Sequence, residues 1–239
     1  MPKIKWLDEY EIKARYIPTF LAVIPIVHFS ILFFGGAFWN ELVKSISWML
    51  VVANLSLSLI VMLALVQIQC SLGKIWIEES IFGKGGEQFP TTNMLLYGGG
   101  MISKERKEQL RRKISKLSGT IFSTQDEERD DPANARLQAR EAVGHVRTKV
   151  GHGVMTIQYN IRYGFFRNLI AGVVWSTIGS LGCSVLYFMD SKWKPMSLFI
   201  TYFLIFVALY LSKKSILEKL AFSYADTLFT EFSSLIKGE

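Results

Sequence analysis

Apolar and polar positions in this chain separate into long blocks. Ile17–Trp39 runs 23 residues without an acid or base, and Trp48–Val66 runs 19 and extends to Cys70. Leu169–Phe188 adds 20 and Met196–Ser212 a short 17. Crossing about 30 Å of hydrocarbon takes roughly 20 apolar residues at helical rise. Inside lipid every backbone amide must bond within its own segment, so each block predicts a helix. Residues 40–47 and 189–195 suit only tight turns. The pattern predicts an all-α membrane protein, with four transmembrane helices as two hairpins and a mainly helical cytoplasmic domain inserted between helices 2 and 3. Its segments are an N-terminal interfacial helix (1–16), hairpins at 17–70 and 169–212, the domain at 71–168, and an amphipathic C-terminal helix (213–239). The first block is too long for a signal-peptide core, and Asp8, Glu9 and Glu11 precede it.

Composition agrees with the block pattern. Half of the 239 residues are hydrophobic and 20% are charged, below the quarter or so usual in soluble domains. A disordered chain, a disulfide-stapled module and an ordinary soluble globule are excluded. Twelve Lys and Arg residues lie near span ends on the side of the termini and the central domain, against Lys44, Lys192 and Lys194 opposite. That asymmetry predicts cytoplasmic termini in a bacterial inner membrane. Residues 67–168 hold 16 bases and 11 acids, a net +5. A basic face beside an anionic leaflet accounts for it, and nucleotide or nucleic-acid binding is the sharper alternative. Cys70 and Cys183 suggest neither a metal site nor a disulfide.

The spans carry two polar patterns. Gly172, Ser176, Ser180 and Ser184 recur every fourth residue, a strip that suits close helix packing or an oligomer seam. Asn54 and Ser58 share one stripe, and His28 lies at similar depth, so a His28–Asn54 hydrogen bond or a polar pathway is expected there. No span contains Asp, Glu, Lys or Arg, which argues against an ion-coupled transporter or voltage sensor.

In the central domain Ser103 is a good N-cap for a basic helix carrying Arg106, Arg111 and Arg112. Asp131 followed by Pro132 starts another helix, and the acids at 126–131 suit its positive end without a metal. Gly83–Gly86 lacks the Lys-Ser/Thr ending of a phosphate loop. Arg136, Arg140, His145 and Arg147 form either a solvated helix face or an anion-binding strip. Arg140-x4-His145 and Arg147-x4-His152 are similar to the Arg-x4-His element of HEPN-type ribonucleases, which would imply RNA cleavage across a helical dimer. With three histidines, one of them in a span, no catalytic constellation assembles, and a non-enzyme without cofactor or metal is expected.

The runs Phe89-Pro90-Thr91-Thr92-Asn93-Met94-Leu95-Leu96, Glu127-Glu128 with Asp131-Pro132, Ala142-Val143 with Val146-Arg147, and Asn160, Tyr163-Gly164-Phe165 and Arg167-Asn168-Leu169 cover about 80 residues. On these the chain resembles a group of uncharacterised bacterial multi-pass inner-membrane proteins associated with phage-defence loci. The resemblance implies a partner of a cytoplasmic enzyme or sensor, or a membrane-disrupting effector. It makes Phe89, Thr91, Thr92, Asn160, Tyr163 and Arg167 the specific surface. The combined expectation is a homo-oligomer that recruits or senses a cytoplasmic partner or signal, plausible in anti-phage defence. The alternatives are a ligand-gated depolarising pore and a membrane-tethered ribonuclease.

Overall fold

The computed structural model describes residues 8–44, 48–151 and 153–235, and of 34, 36–44 and 48–58 the backbone alone. The chain is all-helical, 86% helix, with no strand among the described residues. In order the helices are α1 (Glu9–Phe33), α2 (Trp48–Leu72, continued by a π-helical stretch Gly73–Glu78 and by Glu79–Phe82), α3 (Pro90–Asn93), α4 (Lys104–Ser118), α5 (Gln125–Asp130), α6 (Pro132–Val150), α7 (Val154–Ala171), α8 (Val173–Met189), α9 (Trp193–Leu211) and α10 (Lys213–Leu235). They divide into two units, residues 1–77 with 164–213 and residues 78–163 with 214–239.

Three helices are long and apolar enough to cross a membrane: Glu9–Phe33, Leu59–Phe82 and Trp193–Leu211. A fourth span exists if α7 and α8, bent by 43° at Gly172, count as one. The protein buries little of these helices within itself, only 11% of the Trp193–Leu211 window. Phe20, Val27, Ile178, Val185, Leu198 and Ile205 face outward. A contiguous apolar surface of this kind is costly in water and matched by lipid. The chain is a membrane protein.

The first span starts earlier than its apolar block. Helix begins at Glu9 and passes through a wider π-helical turn at Ile12–Tyr16 into the span, where the charge pattern predicts a separate interfacial helix. Lys13 pairs with Glu9 at 2.6 Å and Arg15 with Glu11 at 2.9 Å, each one turn apart. These pairs neutralise the charged turns and support the helix.

In the first unit α8 packs along both α1 and α9. Glycine makes the approach to α1 possible. A Cβ at Gly179 would lie 2.1 Å from the Ile26 amide nitrogen, and one at Gly172 would lie 2.3 Å from the Ala22 Cβ. Pro25 interrupts the α1 ladder because it has no N–H for the Leu21 carbonyl one turn earlier. The Tyr202 hydroxyl on α9 donates to that carbonyl. Cys183 Sγ donates to the Pro25 carbonyl at 3.5 Å. Near the other end of α1, Gln69 Nε2 donates to the Asn168 carbonyl at 2.7 Å, and Asn168 Nδ2 donates to the Ala14 carbonyl at 2.6 Å. One asparagine thereby ties α1, α2 and α7.

The second unit builds its core from α4, α6, α10 and the α3 segment. Leu110, Ile114, Ala139, Val143, Val146, Leu228, Phe229 and Phe232 are buried there. Helix starts follow the expected caps: Ser103 Oγ accepts the Arg106 amide, and Asp131 accepts the Asn134 amide with Pro132 at the first helical position. A third cap is not local. Glu231 of α10 accepts the Met155 amide at 3.0 Å and the Thr156 amide at 3.2 Å at the start of α7. Asp226 of the same helix pairs with Arg106 at 2.7 Å. These contacts and the buried Leu217, Ala221 and Tyr224 hold α10 in this unit.

Candidate ligand cleft in the second unit

Helix α4 turns an unusual face inward. Its interior positions at helical spacing are Lys107, Leu110, Arg111 and Ile114, so two cations share the apolar stripe. Lys107 is 3% exposed. Its ammonium donates to the carbonyls of Leu96, Tyr97 (3.2 Å) and Gly99 (2.8 Å). Three N–H donors thereby meet three acceptors, which is how a buried ammonium is tolerated. Burial nevertheless pushes Lys107 below the ordinary lysine value, opposed by the nearby Glu128 carboxylate. Arg111 donates to the carbonyls of Leu95 and Ser123. Its guanidinium carbon lies 4.2 Å from the centre of the Tyr97 ring and 4.8 Å from that of Phe122.

The same loop is held from its amide side. Glu128 on α5 accepts the Tyr97 amide at 2.8 Å and the Gly98 amide at 2.9 Å. Gly99 passes so close to Asn93 that a Cβ would sit 1.8 Å from its carbonyl oxygen. The 96–99 segment is therefore a fixed wall, and only glycine fits at its tightest point. Gln125 and Arg129 of α5, Arg136 of α6, and Gln88 and Asn93 line the same space. The cleft has a volume of about 630 Å³, within the usual range of about 300–1,000 Å³ for small-molecule sites. Short helix α5 carries a capping box: Thr124 Oγ1 accepts the Glu127 amide, and Glu127 accepts the Thr124 amide at 2.7 Å. The latter bond holds the Glu127 carboxyl below its ordinary value.

The residues singled out from the sequence scatter around this geometry. Arg136 lines the cleft. Arg140, one turn on, lies against the Gly83–Gly86 turn, with a guanidinium nitrogen 3.2 Å from where a Gly85 Cβ would be. Arg147 on the same flank of α6 approaches the Tyr224 ring. His145 is exposed, about half a turn round the helix from Arg136, so it does not join that strip. It also points roughly 140° away from Arg140 about the helix axis, and His152 lies outside the described residues. Arg106 is engaged with Asp226 and Thr230, and exposed Arg112 with Glu108.

Phe89, Thr91, Thr92 and Arg111, expected on a binding surface, are in the interior. Phe89 packs its ring against Phe82, Tyr163 and Tyr224; Pro90 at the first position of α3 turns the two threonines inward with it. In the first unit Ser176 and Ser180 are buried within the chain, with no hydrogen-bond partner for their hydroxyls among the described residues. Ser184 Oγ returns its hydrogen bond to the Ser180 carbonyl at 2.7 Å. His28 and Tyr187 are hydrogen-bonded at 2.7 Å, and Phe199 stacks on the histidine. The side chains of Asn54 and Ser58 lie outside those described.

Sequence reading missed Lys107, Glu128, Arg129 and Tyr97. The signal available for Lys107 and Arg111 was their spacing with Leu110 and Ile114, which places cations where an apolar face belongs. Comparison with protein-family models, curated proteins and solved structures returns no match.

Proposed function

We propose that this protein is a bacterial inner-membrane protein of four spans in two hairpins, with termini and second unit in the cytoplasm, that senses or recruits a cytoplasmic signal or partner. The observation that carries the reading is the cleft whose 96–99 wall is fixed at both its carbonyls and its amides and whose lining also includes Arg129 and Arg136. Preorganised polar walls around an open volume reduce the cost of ordering a ligand. The positive-side count supports the orientation. A homo-oligomer, expected from the sequence, draws no support from Gly172, Ser176 and Ser180, which pack within the chain. The anti-phage setting rests on the sequence resemblance alone.

Two measurements test it. A single cysteine at Gln125 is expected to react with a membrane-impermeant maleimide in inverted vesicles and not in intact spheroplasts; the reverse result overturns the orientation. Full-length protein purified in detergent is expected to retain a molecule, released on denaturation, that is lost in Arg129→Ala/Arg136→Ala. Identical retention in both proteins removes the cleft as the recognition site.

A further inference from the structure

We propose that the cleft takes a nucleoside polyphosphate, an inference that rests on the sensing role given to it above. Charge is the first argument. Arg129 and Arg136 line the volume, and neither side chain has a hydrogen bond or ion pair among the described residues. Arg140, one helical turn beyond Arg136, lies against the Gly83–Gly86 turn and is not part of the lining. Two like charges one turn apart disfavour the helix by a few tenths of a kcal/mol. A helix with alanines at 133, 135 and 139 needs no such pair for its own stability. The one carboxylate in the lining, Glu128, is committed to the Tyr97 and Gly98 amides. Planar guanidinium forks match phosphate oxygens two at a time, and the two lining arginines suit linked phosphates better than a single one.

The remaining lining gives the rest of the ligand its character. Gln88, Asn93 and Gln125 are neutral amides that both donate and accept, which is the chemistry that reads the edge of a heterocyclic base. Tyr97 supplies an aromatic surface, its ring already fixed by the Arg111 guanidinium at 4.2 Å. Leu96, Pro132 and Tyr97 make the apolar part of the lining comparable to the polar part, which suits a flat base beside charged phosphates. A cleft of about 630 Å³ holds a nucleotide and excludes a folded domain.

The test uses full-length protein in detergent micelles, with ATP, GTP, adenosine and inorganic tripolyphosphate as probes. At least one nucleotide is expected to bind saturably and raise the Tm, with adenosine inert and tripolyphosphate weaker by about tenfold or more. Arg136→Ala and Arg129→Ala are each expected to weaken nucleotide binding by about tenfold or more. Exposed Arg112→Ala is expected to leave it unchanged, which controls for loss of net charge. Binding that all three substitutions weaken equally is nonspecific and overturns the proposal, as does binding that none of them touches. Tripolyphosphate equal to nucleotide assigns the cleft to phosphate alone and overturns the nucleoside part. If the wild-type protein instead retains a phosphate-free molecule that Arg136→Ala releases, the ligand class is wrong while the sensing role stands.

Discussion

The hydroxyl of Tyr202 on α9 donates to the carbonyl of Leu21 on α1, the acceptor that Pro25 leaves without its helical partner. A proline kink is tolerated inside a membrane only where another group satisfies the freed carbonyl. Tyr202→Phe is therefore expected to destabilise the protein in detergent by about 1 kcal/mol. In a Pro25→Ala background, where the ladder amide is restored, the same change should be close to neutral. A thermal-unfolding double-mutant cycle measures the coupling, and additive effects would rule out the pairing.

Glycines provide a contrasted set. Gly179→Val places side-chain atoms where the Ile26 backbone stands, so α1 and α8 must separate, at a cost of at least about 1–3 kcal/mol. Gly144→Ala on α6 meets nothing within 4 Å. It should stabilise by about 0.5–1 kcal/mol through helix propensity. Chemical denaturation of the two variants should move in opposite directions.

Lys107→Met keeps the side-chain length but leaves the carbonyls of Leu96, Tyr97 and Gly99 without their donor. Orphaned buried acceptors cost about 1–3 kcal/mol each in the worst case. A loss of about 2–4 kcal/mol is expected, together with faster proteolysis between Leu95 and Ser103. Wild-type proteolysis in this variant would show that the loop is held by other means.

Glu127 sets an acid limit. Its folded-state value is lowered by the Thr124 amide and hydroxyl, so the unfolded chain binds the proton more readily. The contribution is complete above the ordinary carboxylate range and disappears as pH falls through the lowered folded value. Protection of the amides at the start of α5, taken relative to the intrinsic exchange rate at each pH, should fall on acidification. In Glu127→Gln, which keeps an acceptor without the titration, that fall should vanish.

Glu231→Ala removes the distant cap from α7 and should cost about 1–2 kcal/mol, with exchange rising at Met155 and Thr156. Glu231→Gln, whose single amide oxygen replaces the two carboxylate oxygens that accept the two amides, should recover only part of the loss. Equal exchange in both variants would mean that the carboxylate does not cap the helix.

Helix content and the apolar blocks were legible in the sequence because hydrophobic transfer and backbone hydrogen bonding act over contiguous residues. The caps at Ser103 and Asp131 were legible for the same reason, since a cap and its amide are three residues apart. The cleft was not. Arg111 and Phe89 carry side chains that suit a surface as well as an interior, and only the neighbours brought by folding decide between the two. Tertiary structure alone decided that Lys107 closes on a loop eight to eleven residues away, that Glu231 caps a helix 75 residues upstream, and that Tyr202 answers Pro25. Each depends on positioning a donor opposite an acceptor across the fold, and local pattern carries no record of that distance.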